Sequence, residues 1–468
     1  MPSSLQEMIP ATQTPIENAV ASRGKGLSGS FYLIAISCVA ALGGLLFGYD
    51  TAVISGAIGL LQSHFALSAP AAGWAASSAL AGCVLGVTIA GFGGDWLGRH
   101  KILHLSALCF LVSAVGAALA PTFASFIVFR IVGGVGIGAA SIASPLYIAE
   151  IAPKNWRGRL VALNQLAIVS GMLVIYAVNY WIRLSGTALW NETIGWRWMF
   201  ASGIAPSILL LVLLFLVPET PRFLLMHGRA AEAHKVSLRI GAGIPEDIFQ
   251  STATSQAPRE NLSRVLRLGI ILAILQQVTG INVIMYYAPE IFDHLSHSRN
   301  VSLLETVFVG AVNLLFTVLA MTLVDRVGRK PLLVWGALGM GVCLVAMGEA
   351  AMRSGTGAWL LAFVLCYIAC FALSLGPITW VVLSEIFPSH FRARAMAVAS
   401  IALWTANFVV SQTFPILDQS QALIRHFGHG FPFFLYAAFC VLETWFVWRF
   451  LPETKNRSLE EISSWWSA

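Results

Sequence analysis

Charge is scarce in this chain: 28 Lys and Arg and 22 Asp and Glu among 468 residues, beside 57% hydrophobic residues and a mean hydropathy of +0.77. So few charges cannot coat a soluble surface, which excludes an ordinary globular domain in water. Cysteine is sparse too, and Cys38, Cys83, Cys109, Cys343, Cys366, Cys370 and Cys440 all fall in apolar runs. That excludes an external disulfide framework, and no histidine cluster accompanies them to imply a metal. A phosphate-binding glycine loop, a nucleophile motif and a cleavable signal peptide are also missing, so neither an enzyme nor a cofactor is expected. The net charge of +6 follows from topology, as described next, and no nucleic-acid partner is read from it.

What the chain has is apolar length. Runs of about 20 residues, enough to cross a ~30 Å hydrocarbon core, fall near residues 31–58, 71–93, 102–120, 124–147, 160–181, 198–217, 267–292, 303–324, 331–351, 357–384, 395–415 and 431–451. They predict an all-α polytopic protein of the lipid bilayer with twelve transmembrane helices. Lys and Arg crowd alternate loops, while the others hold only Arg183, Arg299, Arg353 and Arg425. The positive-inside rule then puts both termini in the cytoplasm, in a multi-pass protein of the cell inner membrane. The expected divisions are a disordered tail (1–29), a six-helix bundle (30–217), an intracellular helical linker (218–266), a second bundle (267–451) and a cytoplasmic end (452–468).

The halves echo each other. Asp95 in D-W-L-G-R and Asp325 in D-R-V-G-R stand 230 residues apart; A-E-I-A-P-K-N-W-R-G-R (149–159) returns as S-E-I-F-P-S-H-F-R-A-R (384–394) at an offset of 235; P-E-T at 218 returns at 452. Three signatures recurring at nearly one offset indicate a duplicated six-helix unit.

Two features inside the hydrocarbon bear on function. The stretch Q-Q-V-T-G-I-N-V-I-M-Y-Y (276–287) puts Gln276, Gln277 and Asn282 around Gly280 in one span. Amides in hydrocarbon need partners, either neighbouring helices or a polar solute. Asp50 in span one and Arg130 in span four are ionisable groups at membrane depth, each the other's expected partner. They are read either as a permanent ion pair or as a functional one. Glu443 in span twelve is expected to reach the interface beside Arg449, with no function assigned.

The duplicated D-x-x-G-R loops, R-G-R, both P-E-T elements and Q-Q-x-x-G-I-N together resemble the sugar porter family of the major facilitator superfamily. The closest likeness is to its bacterial D-xylose/proton symporters, in F-G-Y-D-T-A-V-I-S-G (47–56), L-N-Q-L-A-I-V-S-G (163–171) and W-V-V-L-S-E-I-F-P (380–388). The resemblance covers about residues 31–464 and implies two pseudo-symmetric six-helix bundles rocking around a central site. It also implies a monomeric, proton-coupled importer of a hexose or pentose such as glucose or xylose. An uncoupled facilitator and a transporter-like sugar receptor are the alternatives.

Residue by residue, the resemblance assigns proton carriage to Asp50 with Arg130 tuning it. It assigns sugar binding to Gln165, Gln276, Gln277, Asn282 and Asn313, flat walls to Trp380 and Trp404, and an outer gate to Phe47 and Tyr286. Gly280, Gly376 with Pro377, and Pro415 in span eleven are candidate breaks lining the cavity. Ion pairs between the halves are expected to latch the cytoplasmic side, drawn from Asp95, Arg99, Glu150, Arg157, Arg159, Glu219, Arg222, Asp325, Arg329, Glu385, Arg392, Arg394 and Glu453. Four departures from the family pattern stand out: Trp96 for a basic residue, Gly203 for an acid, and Met172 and Leu403 for amides.

Overall fold

The computed structural model describes residues 27–240, 262–296, 299–353, 358–388, 391–455 and 457. The N-terminal tail, most of the linker beyond residue 240 and the chain end from 458 lie outside the described residues. Twelve helical segments are long and apolar enough to cross a membrane. The first half contributes α1 (Leu27–Phe65), α2 (Ala69–Leu97), α3 (Arg99–Leu119), α4 (Phe123–Ile151), α5 (Lys154–Leu184) and α6 (Ala188–Leu214). Two short helices follow, α7 (Pro221–Met226) and the amphipathic α8 (Ala230–Ile240).

In the second half the seventh span is split into α9 (Leu262–Val278) and α10 (Ile281–Ser296), followed by α11 (Arg299–Val327) and α12 (Arg329–Met352). The tenth span is split into α13 (Ala358–Leu373) and α14 (Leu375–Ile386), and the chain finishes with α15 (Arg392–Asp418), the short α16 (Gln421–Phe427) and α17 (Phe431–Phe450). Among the described residues there is no strand.

The two breaks have local causes. Gly280 sits at φ +89°, a conformation that ends an α-helix and that residues with a Cβ avoid. In span ten the break falls at Ser374 (φ −131°, ψ −93°), just before Gly376-Pro377. Pro415, by contrast, lies inside the continuous α15. A proline leaves the carbonyl four residues back without its N–H partner, and here the Tyr287 hydroxyl donates to that carbonyl, on Ser411, at 3.2 Å. Pro289 in α10 is handled in the same way: Tyr176 Oη donates to the Met285 carbonyl at 3.0 Å. This second bond joins α5 of one half to α10 of the other, so a proline defect becomes an inter-bundle tie.

Within the first half α2 and α4 approach closely because glycines face each other. A Cβ on Gly82 would run into the Ile131 carbonyl, and one on Gly134 into the Ala79 carbonyl. Small residues of this kind let backbones meet where no hydrophobic effect drives helices together. Gly134→Val is expected to destabilise the bundle by ~3 kcal/mol, the upper end of overpacking costs, because the obstacle is backbone. Thermal unfolding in detergent should show the drop, whereas Gly158→Ala, with nothing within 4 Å of the added carbon, should show no loss.

Candidate functional site

A cavity of about 2190 Å³ lies between the bundles and opens at the end carrying the charged loops. Phe47, Gln165, Gln276, Gln277, Asn282, Tyr286, Asn313, Gly376, Trp380 and Trp404 all line it. At the opposite end the halves touch. Phe47 and Trp404 meet with ring centroids 5.5 Å apart, Trp74 packs on Phe408 at 5.6 Å, and Ser77 Oγ donates to Gln412 Oε1 at 2.7 Å.

The broken seventh span builds one wall. Gln276 Nε2 donates to the Leu375 carbonyl at 2.7 Å, Gln277 Nε2 donates to Gln276 Oε1 at 3.2 Å, and Asn282 Nδ2 donates to Gln277 Oε1 at 2.5 Å. This chain of amides crosses the Thr279–Gly280 break and ties it to the break in span ten. Gln276 therefore serves as a tether between helices as well as a cavity residue. An amide pair of donors and acceptors is not exhausted by one bond each, and Gln277 and Asn282 keep further capacity toward the cavity.

Other polar atoms at the cavity are unfilled. The buried Trp404 Nε1 and Asn164 Oδ1 have no hydrogen-bond partner among the described residues. Asn313 Nδ2 has only the Met172 thioether at 3.9 Å, a weak acceptor. Trp404 Nε1 and Asn164 Oδ1 are shut off from the cavity space although their residues line it.

Asp50 and Arg130 lie in the first half, on α1 and α4. Arg130 Nη1 donates to Asp50 Oδ2 at 3.0 Å and to the Asp50 carbonyl at 3.2 Å, and the two residues are 1% and 9% exposed for Arg130 and Asp50 respectively. The guanidinium also sits 5.5 Å from the centre of the Phe200 ring. The pair does not line the cavity, but Tyr286 meets both environments: it lines the cavity, hydrogen-bonds Asn407, and lies within electrostatic range of Asp50 and Arg130. Gly203 packs near Ala114 and the Tyr49 ring, whose hydroxyl donates to Ser202 Oγ at 2.7 Å. Span six thus presents a hydroxyl beside Tyr49 and no carboxylate at that position.

At the charged-loop end the repeated signatures converge, once per half. Arg99 pairs with Asp95 and Glu150, each at 3.0 Å, and Thr220 Oγ1 donates to the other Glu150 oxygen at 2.6 Å. Glu219 accepts from the His100 backbone N–H at 3.2 Å, placing an anion on the N-terminus of α3. Burial pushes the Glu219 carboxyl above the ordinary glutamate range, against these backbone bonds, which favour its charged form.

In the second half Arg329 pairs with Asp325 at 3.2 Å and Glu385 at 3.0 Å, Thr454 donates to Glu385 at 2.5 Å, and Glu453 accepts from the Arg329 and Lys330 N–H groups at 3.1 and 3.0 Å. Gly98 and Gly328, at φ +90° and +106°, leave room for these two capping carboxylates. These pairs join elements within one half; the latch expected between the halves would shut this end, which stands open here. They rigidify each bundle at the end where the cavity stands open. Arg157, Arg159, Arg222, Arg392 and Arg394 line its mouth. Trp96 projects outward, 79% exposed, while the Arg99 knot is the more enclosed of the two.

Three residues missed from sequence also line the cavity: Asn164, Asn407 and Thr317. Asn407 follows Trp404 by three positions and so shares its helix face, a signal that was available. Glu443 departs from expectation outright: it is 0% exposed, both carboxyl oxygens lack partners among the described residues, and it does not reach the interface.

Two six-helix bundles closing at one end around a polar cavity define a transporter of the major facilitator fold. The partially occluded inward-open structure of the xylose transporter XylE from E. coli superposes with a TM-score of 0.82 at 41% identity, covering 92% of this chain and 100% of that one. The chain belongs to the sugar transporter family: the family profile described as "Sugar (and other) transporter" matches residues 36–466. Similar proteins include the D-xylose-proton symporter of Escherichia coli (43% identical, 93% of this chain and 96% of that one) and the arabinose-proton symporter of Bacillus subtilis (42%; 93% and 95%). The glucose facilitated diffusion protein of Zymomonas mobilis is 41% identical (92% and 97%).

The knots give a graded prediction. Removing one partner of a buried pair costs ~3–5 kcal/mol, and an exposed one ~1 kcal/mol or less. Arg99→Ala, which strands Glu150 at 3% side-chain exposure, should therefore lower unfolding stability more than Arg329→Ala, which strands Glu385 at 21%. Chemical unfolding of the two variants under one condition checks the order.

Proposed function

We propose that this protein imports a monosaccharide together with a proton across the inner membrane by alternating access, with both termini in the cytoplasm. The charged-loop end then faces the cytoplasm, and the structure is the inward-open carrier. The observation that carries the coupling is the Asp50–Arg130 pair, held at membrane depth beside the cavity but outside it. The relatives include symporters and a facilitated-diffusion protein at nearly equal identity, so the chemistry of this chain has to discriminate. A carrier that only equilibrates sugar needs no ionisable pair in hydrocarbon, where a charge costs ~2.5 kcal/mol or more.

The roles divide between the halves. Gln165, Gln276, Gln277, Asn282 and Asn313 bind sugar hydroxyls, Trp380 and Trp404 cover its C–H faces, and Phe47 with Tyr286 closes the far end. Each hydrogen bond nets ~1 kcal/mol, so five of them less ordering costs give millimolar to micromolar binding. A carrier must release its cargo, and that range permits it.

Asp50 takes the proton. Close pairing with Arg130 favours its carboxylate, and a dry environment without the cation favours the neutral acid. Loading is thereby tied to a conformation that loosens the pair. At a membrane potential of ~150 mV one proton per sugar supplies ~3.5 kcal/mol, several hundred-fold accumulation.

In proteoliposomes the wild type should accumulate sugar against its gradient when a proton gradient is imposed, and Asp50→Asn should only exchange it. Accumulation surviving in Asp50→Asn would remove Asp50 from the coupling. Met172 and Leu403 stand at the sugar site without amide capacity. Met172→Gln with Leu403→Gln should shift competition of sugars for uptake toward xylose; an unchanged ranking would show that these two positions do not set specificity.

A further inference from the structure

Glu443 is the thirteenth residue of the twenty in α17, which places it roughly 10 Å along the axis from the Phe450 end and well within hydrocarbon. It is fully buried and neither carboxyl oxygen has a hydrogen-bond partner among the described residues. Cys440 on its own helix and Tyr367 on α13 lie within its electrostatic range, with Cys343 on α12 and Tyr436 next to those two. None is a cation. The basic residues of the packed helices stand in end turns: Arg264 and Arg267 on α9, Arg329 and Lys330 on α12, Arg392 and Arg394 on α15, and the exposed Arg449 on α17. An isolated carboxylate in such a place is not tolerated, whereas a neutral acid is.

Its neighbour Tyr367 is bonded to the working part of the site. Tyr367 lies within electrostatic range of Glu443, and its hydroxyl donates to the Thr279 carbonyl at 3.0 Å, inside the break that divides α9 from α10. Tyr436, seven residues before Glu443, packs its ring against Gly280 in the same break. The carboxyl therefore stands behind the joint on which the chain of amides is mounted.

We propose that Glu443 is a second proton-binding site, on the sugar-binding half, which holds a proton in this conformation and gives it up to water when the seventh-span joint rearranges. The carboxyl O–H bond breaks, the proton leaves, and the carboxylate left behind acts through Tyr367 on the Thr279–Gly280 joint. This extends the proposed transport reading by giving the sugar half its own protonation state.

Two measurements test it. Infrared absorption of the purified protein at neutral pH should show a protonated-carboxyl band that is lost in Glu443→Gln and equally in Glu443→Leu. If neither variant loses such a band, the group is not a bound acid and the proposal falls. In an Asp50→Asn background, the pH profile of sugar affinity should keep one step that is absent from Asp50→Asn/Glu443→Gln. A band that titrates with no step in affinity would overturn the link to the sugar site. Loss of all sugar binding in the wild type would instead contradict the transport reading and leave the infrared result standing.

Discussion

In hydrocarbon a polar group has no water to fall back on, so each must find a partner in the chain or in a solute. Much of this structure follows from that constraint. Prolines 289 and 415 free two carbonyls, and two tyrosines fill them. The threonine and glutamate of each P-E-T element close a charged knot, with the glutamate capping a helix N-terminus. Gln276 bonds the break in span ten. Trp404, Asn164 and Asn313, which line the cavity, each keep a polar atom without a strong partner among the described residues, and so does the buried Glu443.

The same constraint separates the rigid parts from the moving ones. The knots at Arg99 and Arg329 lie within the halves and make each a unit. Ties between the halves include the aromatic contacts Phe47–Trp404 and Trp74–Phe408, one tyrosine on a proline-freed carbonyl, and Gln412 bridging α15 to Ser77 and Pro70. Tyr286, on a broken span of one half, lines the cavity and lies within electrostatic range of the ion pair of the other, and so offers a physical route by which occupancy of the cavity reaches Asp50.

Much of this was legible in the sequence. Twelve apolar runs, a repeat at one offset and the amides around Gly280 pointed to the fold, and the ten residues expected around the sugar line a single cavity. Spacing revealed the i,i+4 pairs Asp95–Arg99 and Asp325–Arg329 but not that Glu150 and Glu385 complete them within each half, because that depends on how distant loops meet. Rescue of a proline-freed carbonyl is likewise a three-dimensional fact. Glu443 was misread from its nearness to Arg449: six residues along a helix turn a side chain about 240° around the axis, so the two point to different sides, one inward and one to the surface.

The central claim is that sugar and proton move together through one protein with separate sites for each. The direct measurement is sugar-driven proton movement: proteoliposomes with a trapped pH indicator and no imposed proton gradient receive an inward sugar gradient. One proton should enter with each sugar, acidifying the lumen in proportion to the sugar taken up. Sugar entry at the same rate with no acidification would contradict the account and leave an uncoupled facilitator.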